Sequence, residues 1–218
     1  MKPGLARPNS KLRRDSFHHG DTRRAAVDAA LALVAGHGQD AVTLRAVAES
    51  LGVNHRALYR QYASREDLLF AVAERGFARL ADLLEAIPVA GVASGSAALA
   101  QAYAAFALAE RHLYDLMFSL PLRKCFHDEG GIGPELRRVV KAAAHAVQAG
   151  EAPPVGTEAI RTRVLRVWGL THGLLGLYRA GALKARSDRN AIQFIVDAAR
   201  ALTPAAPESS RRPHAAGR

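Results

Sequence analysis

The sequence predicts an all-α protein, and three observations carry that prediction. Apolar residues recur at three- and four-residue spacings almost throughout, no segment shows the β-branched alternation of a strand, and glycine and proline clusters separate the periodic blocks. With 218 residues, 49% of them hydrophobic, the chain has room for one large domain or two small ones and can bury a core. Its 30 Lys and Arg against 20 Asp and Glu leave a net charge of +10, which favours an anionic partner, nucleic acid ahead of a membrane surface. The single cysteine, Cys125, excludes an internal disulfide and a multi-thiolate zinc site and points to a reducing compartment, hence a cytoplasmic location. The longest uncharged stretch, residues 86–109, is broken by Pro88, Gly91, Gly95 and Gln101 and fails as an apolar span of about 20 residues. Residues 1–20 are basic and polar, without the apolar centre of a signal peptide.

The elements follow in order. Residues 1–20 carry Lys2, Arg7, Lys11, Arg13 and Arg14 with no apolar period, which predicts a disordered basic arm; residues 204–218 predict a similar tail. A first helix is expected after Asp21 as cap, with Val27, Ala30, Leu31 and Val34 on one face and Gly36 and Gly38 ending it. Thr43 caps a second, two-turn helix bearing Leu44, Val47, Ala48 and Leu51, and Gly52 supplies the positive φ of its exit. Asn54 caps a third, with Leu58 and Tyr62 four apart. Ser64 and Asp67 approximate a capping box for a long fourth helix, expected to stop at Pro88 and to connect two subdomains. Further helices are predicted at 97–109, 113–120 beyond a polar notch at Glu110-Arg111, 135–149, within 157–183, and around Ile192, Ile195, Val196, Ala199 and Leu202.

Two short capped helices joined through Gly52-Val53-Asn54 form a helix-turn-helix pattern, whose second helix has the diameter to enter a DNA major groove. On it Leu58 points inward, while His55, Arg56, Tyr59 and Arg60 fall on the outer arc and Asn54 stands at the N-terminus. A helix N-terminus and an Asn amide hold phosphate, and Arg can donate a bidentate pair to guanine. Residues 1–65 hold 11 basic against 5 acidic side chains, so most of the excess charge lies in under a third of the chain. Arg23 and Arg24 fit either a solvated helix face or a phosphate contact.

The run Arg24, Asp28-Ala29-Ala30, Val42-Thr43-Leu44-Arg45, Val47-Ala48, Leu51-Gly52-Val53, Ala57-Leu58-Tyr59, Tyr62, Ser64-Arg65-Glu66 and Leu68-Leu69 resembles the DNA-binding domain of TetR/AcrR-type transcriptional regulators over residues 21–84. Phe17-His18-His19-Gly20-Asp21, together with Trp168 and His172-Gly173, resembles one subgroup with a characteristic C-terminal ligand and dimerisation domain. Tyr62 stands where Phe is usual and Arg65 where Lys is usual; both keep the physical role. The resemblance implies a helix-turn-helix domain at 21–66 and a helical ligand-binding and dimerisation domain at 67–203. It further implies a homodimer on a palindromic double-stranded operator, release by a small-molecule effector, and a repressor that is not an enzyme, has no cofactor and meets no membrane. Thr43 and Tyr59 would touch phosphates, Arg45 and the early residues of the third helix would reach base edges, with His55 and Arg56 on bases or phosphates and Asn54 at the helix N-terminus, Arg60 would lie on the same face, and Arg65 would hold the DNA backbone. The alternative is a ligand-independent or architectural DNA-binding protein.

Other constellations carry less. Cys125 beside His127 has no third orienting residue and reads as a plain thiol. His127-Asp128-Glu129 are adjacent and share no face of a regular element, so no metal is expected. Gly130-Gly131-Ile132-Gly133 lacks the preceding strand of a phosphate loop. The block around Trp168 is apolar nearly all round, with Val164, Leu165, Trp168, His172 and Leu175 assigned to one side and Val167, Leu170, Leu174 and Leu177 to the other. One side is expected to face a cavity and the other a partner subunit, with Gly169, Gly173 and Gly176 permitting close approach. His172 fits a core histidine or a ligand contact. Tyr103, Phe106, Tyr114, Met117 and Phe118 are the candidates to complete a cavity with Trp168.

Overall fold

The computed structural model describes residues 19–88, 94–119, 133–149 and 156–202, all of whose regular elements are helical. The basic arm, the C-terminal tail, and Cys125 with its neighbouring His127-Asp128-Glu129 lie outside the described residues. Two compact units divide at Ala73 and Glu74.

The first unit is built from α1 (His19–His37), a 3-10 turn (Gln39–Ala41), α2 (Leu44–Leu51), α3 (His55–Tyr59) and the start of α4 (Arg65–Glu85). The inward stripe of α1, Ala26, Val27, Ala30, Leu31 and Val34, is buried, as the i, i+3, i+4 spacing requires. Thr43 Oγ1 accepts from Ala46 N at 2.9 Å, and Asn54 Oδ1 accepts from Arg56 N at 2.9 Å, so each short helix opens on a side-chain cap. Between them Gly52 sits at φ 65, and Val53 N donates to Ala48 O at 3.0 Å, the six-to-one bond that closes a helix C-terminus. Leu58 is fully buried with Val42, Val47, Leu68 and Val72, which sets the azimuth of α3. The Tyr62 ring is also buried; its hydroxyl donates to Arg23 O at 3.1 Å while the Arg23 guanidinium lies 4.9 Å above the ring. Ser64 Oγ accepts from Asp67 N at 3.1 Å, the capping contact expected of that pair.

The second unit comprises the remainder of α4 with α5 (Gly95–Ala109), α6 (Arg111–Ser119), α7 (Pro134–Ala149), α8 (Thr157–Arg179) and α9 (Asp188–Arg200). Alanine-rich α5 is its centre and packs against α6, α7, α8 and α9, because a small-residue surface lets four neighbours approach. At Gly95 a Cβ would lie 1.9 Å from Ala146 O, so α5 and α7 meet backbone to backbone there. Charged side chains tie the periphery. Arg138 of α7 reaches Asp82 and Glu85 of α4 and Glu135 of its own helix, Arg111 grips both oxygens of Asp188, and Arg179 pairs with Asp115.

Several expected boundaries shift. α1 opens two residues before Asp21, α4 ends at Glu85 rather than Pro88, α5 opens at Gly95, and α8 ends at Arg179 rather than Leu183. There the chain turns through Gly181 at φ 74, a conformation that suits glycine. The two faces assigned to α8 are also redrawn. Ile160, Val167, Thr171 and Leu175 form the buried line, whereas Leu165, Trp168 and Leu177 are 52%, 36% and 51% exposed. Positions separated by seven, eleven and fifteen residues return to one azimuth, which a helix apolar on every side does not mark in sequence. Among the described residues no helix is long and apolar enough to cross a membrane.

Candidate nucleic-acid interface and cavity

In the first unit the cap bonds and the buried Leu58 turn one polar face outward. Thr43, Asn54, His55, Arg56 and Arg60 are exposed, and Tyr59 is 58% exposed, unusual for an aromatic side chain without a partner surface. Its ring stands edge-on to His55, 6.3 Å between centroids, which braces both on one turn of α3. Arg45, at the start of α2, extends into solvent with Nε 2.8 Å from Glu49 Oε1, and that carboxylate raises its already high pKa. Seven of the eight predicted DNA-facing residues therefore present free or solvent-facing polar groups. Arg65 is different: its Nε donates to Val42 O at 2.7 Å and an Nη donates to Gln39 O at 2.7 Å. These bonds brace the start of α4 against the 3-10 turn, with the guanidinium fork joining Val42 O and Gln39 O, the latter also accepting from Val42 N.

The second unit encloses a cavity of about 550 Å³, of the size that takes a small organic molecule. Phe77, Leu80 and Leu84 of α4 form one wall, Leu99, Ala100 and Tyr103 of α5 and Phe118 of α6 another, and Leu136, Val139, Val140, Ala143 and Ala144 of α7 a third. The N-terminal part of α8, from Thr157 to Thr171, closes it. Of the predicted cavity residues, Tyr103, Phe118 and Trp168 are brought together on the lining. Phe106 and Met117 are buried elsewhere; Met117 fills the space over Gly76, where a Cβ would come within 2.5 Å of its sulfur. His172 stands behind the lining as part of a polar cluster.

That cluster joins three helices. Trp168 Nε1 donates to Tyr103 Oη at 2.8 Å, Tyr103 Oη lies 3.3 Å from both Tyr114 Oη and His172 Nδ1, and Tyr114 Oη lies 2.5 Å from His172 Nδ1. Burial lowers the His172 pKa, so the imidazole is neutral and can take a hydroxyl proton as acceptor. Burial likewise raises Tyr103 and pushes Tyr114 up to about 12. The Trp and His of the motif, one turn apart on α8, thus both reach Tyr103, and His172 reaches Tyr114 as well. The sequence reading placed neither the α4 and α7 walls nor Thr171, the one hydroxyl beside His172 in an apolar run.

Among the described residues no group of three or more His, Cys, Asp or Glu side chains is arranged to hold a metal. A small capped helix-turn-helix with an exposed polar face, followed by a helical unit around an apolar cavity, is the architecture of a DNA-binding regulator.

Comparison with known proteins assigns that class to a family. The family model described as bacterial regulatory proteins, tetR family, matches residues 26–72, and the one described as tetracyclin repressor-like, C-terminal domain, matches residues 96–213. The chain belongs to the TetR family, whose members are DNA-binding transcriptional regulators and not enzymes. A protein of unknown function from Rhodococcus sp. RHA1 is 27% identical with a TM-score of 0.63, over 86% of this chain and 98% of its own. A regulatory protein of the tetR family from Rhodococcus RHA1 is 20% identical with a TM-score of 0.57, over 84% and 97%. A TetR/AcrR-family regulator from Thermobifida fusca is 20% identical with a TM-score of 0.57, over 88% and 100%. The comparison with curated proteins returned no match.

Proposed function

We propose that this chain is a cytoplasmic, ligand-responsive repressor that binds an approximately palindromic operator as a homodimer and leaves it when a small molecule fills the cavity. Residues 21–66 form the DNA-binding domain in this reading and residues 67–203 the sensing and dimerisation domain. The observation that carries it is the pairing of an exposed recognition face, His55, Arg56, Tyr59 and Arg60 around a fully buried Leu58, with an apolar cavity in the other unit. Continuous α4 takes part in both, beginning at the Arg65 brace and ending along the cavity wall at Phe77, Leu80 and Leu84. An effector that binds one arrangement of that wall more tightly shifts the population of the whole molecule toward it.

The dimer is supported by apolar surface on α8 and α9. Leu177 and Phe194 are exposed away from the cavity lining, and Gly169, Gly173 and Gly176 have no atom within 4 Å of where a Cβ would stand. That surface suits self-association through an isologous two-fold contact, which presents two copies of α3 and imposes its symmetry on the site.

Selection of binding duplexes from a random pool is the test, with gel shift of two variants on the selected site. A two-fold consensus is expected. Tyr59→Ala is expected to weaken binding to all sequences, and Arg45→Ala to relax preference at one base pair per half-site by about 1–3 kcal/mol. Folded variants with unchanged affinity would remove this face from the interface, and a monomer in sedimentation at micromolar concentration would remove the dimer.

A further inference from the structure

The described lining of the cavity is mostly carbon; its polar side chains are Tyr103 of α5 and Thr157, Arg161, Trp168 and Thr171 of α8. Among the described residues of the lining Arg161 is the only charged one, paired loosely with Glu158 at 3.7 Å and largely exposed. Thr171 is 1% exposed, and its Oγ1 is buried without a hydrogen-bond partner. A buried hydroxyl without a partner costs free energy, and because Thr171 lines the cavity, rotation about its χ1 would let a guest oxygen supply that partner. Trp168 Nε1 and Tyr103 Oη bond each other and the cluster behind them, and Thr157 is exposed. Ten residues separate Arg161 from Thr171, about 15 Å at the helical rise of 1.5 Å per residue. The lining stretches of α7 and α8, residues 136–144 and 157–171, carry six basic side chains and one acidic. Arg138 is balanced by Asp82, Glu85 and Glu135, but a cationic guest finds no carboxylate among the described lining residues.

Resting on the reading of this cavity as the effector site, we propose that it takes an elongated apolar carboxylic acid. The carboxylate meets Arg161 in a charge-assisted hydrogen bond, the chain runs inward along α8, and an oxygen at its far end completes the Thr171 hydroxyl. The effector therefore belongs to the hydroxy or oxo long-chain acids and not to the lipophilic cations.

Trp168 is the only tryptophan of the chain and stands on the lining, so its fluorescence reports occupancy directly. The full-length protein is titrated, below micelle thresholds, with dodecanoate, ω-hydroxydodecanoate, dodecanol and dodecylammonium, and with Nile red as a neutral probe of the cavity itself. Dodecanoate is expected to bind about tenfold more tightly than dodecanol, the worth of one charge-assisted bond, and dodecylammonium most weakly. Arg161→Gln should erase the preference for acid over alcohol while leaving dodecanol affinity in place. Thr171→Val should erase the advantage of ω-hydroxydodecanoate over dodecanoate and leave dodecanoate unchanged. Equal or tighter binding of dodecylammonium, or an acid preference that survives Arg161→Gln, overturns the assignment. If Nile red binds and no acid displaces it, the ligand class is wrong and the cavity stands; if nothing binds, the effector-site reading itself falls, and the proposal with it.

Discussion

Arg65 separates a residue that holds DNA from one that holds the DNA-binding unit together. Replacing it by Ala removes two charge-assisted hydrogen bonds, to Val42 O and Gln39 O, both 2.7 Å. Such bonds contribute about 1.5–3 kcal/mol each when sheltered, but this side chain is 44% exposed, and water can take over part of what is lost. A net cost of about 1–2 kcal/mol to the first unit follows from that discount. The assay is urea denaturation followed twice, by far-ultraviolet circular dichroism, which sees both units, and by Trp168 emission, which sees only the second. The variant should show an earlier dichroism transition with the tryptophan transition unmoved. Arg65→Lys, which replaces the fork by a single ammonium, should recover part of the loss. In DNA binding, the slope of log affinity against log salt should stay that of the parent protein. A phosphate contact instead predicts a slope flattened by about 0.9 per contact, or about 1.8 for two subunits, with stability untouched. That second pattern would refute the brace.

Gly95→Ala should be far more damaging than an ordinary glycine replacement, because the new methyl meets the Ala146 carbonyl at 1.9 Å and that carbonyl, being backbone, cannot swing aside; soluble yield and Trp168 emission would register the loss of the second unit, and a native-like variant would show that α5 and α7 are not in contact there. Stability should fall steeply at high pH. Burial raises the Tyr103 pKa and pushes that of Tyr114 up to about 12, so the unfolded chain releases these protons first, near pH 10, and the contribution is lost progressively until the folded value is passed. A denaturation series across that range should steepen less in Tyr114→Phe, whereas identical profiles would place the alkaline sensitivity elsewhere.

Local chemistry was legible in the sequence where a residue type answers a local need. Thr43, Asn54 and Ser64 announce helix starts because their side chains bond the backbone two or three residues on, and Gly52 announces a helix end because its φ is positive. The outward face of α3 followed from the same logic, since once Leu58 is inside, the helical period sends His55, Arg56, Tyr59 and Arg60 out. Tertiary structure alone decided what depended on distant segments meeting. The Arg65 fork found carbonyls more than twenty residues back in the chain, Met117 was claimed by the space over Gly76, and Phe106 was enclosed within the core around α5. On α8, apolar nearly all round, periodicity carries no azimuth, so the packing of α5, α7 and α9 chose which line was buried and left Thr171 without a partner on a cavity wall. Side chains that bond their own neighbourhood are written in order along the chain; those that answer to a remote element wait for the fold to bring it near.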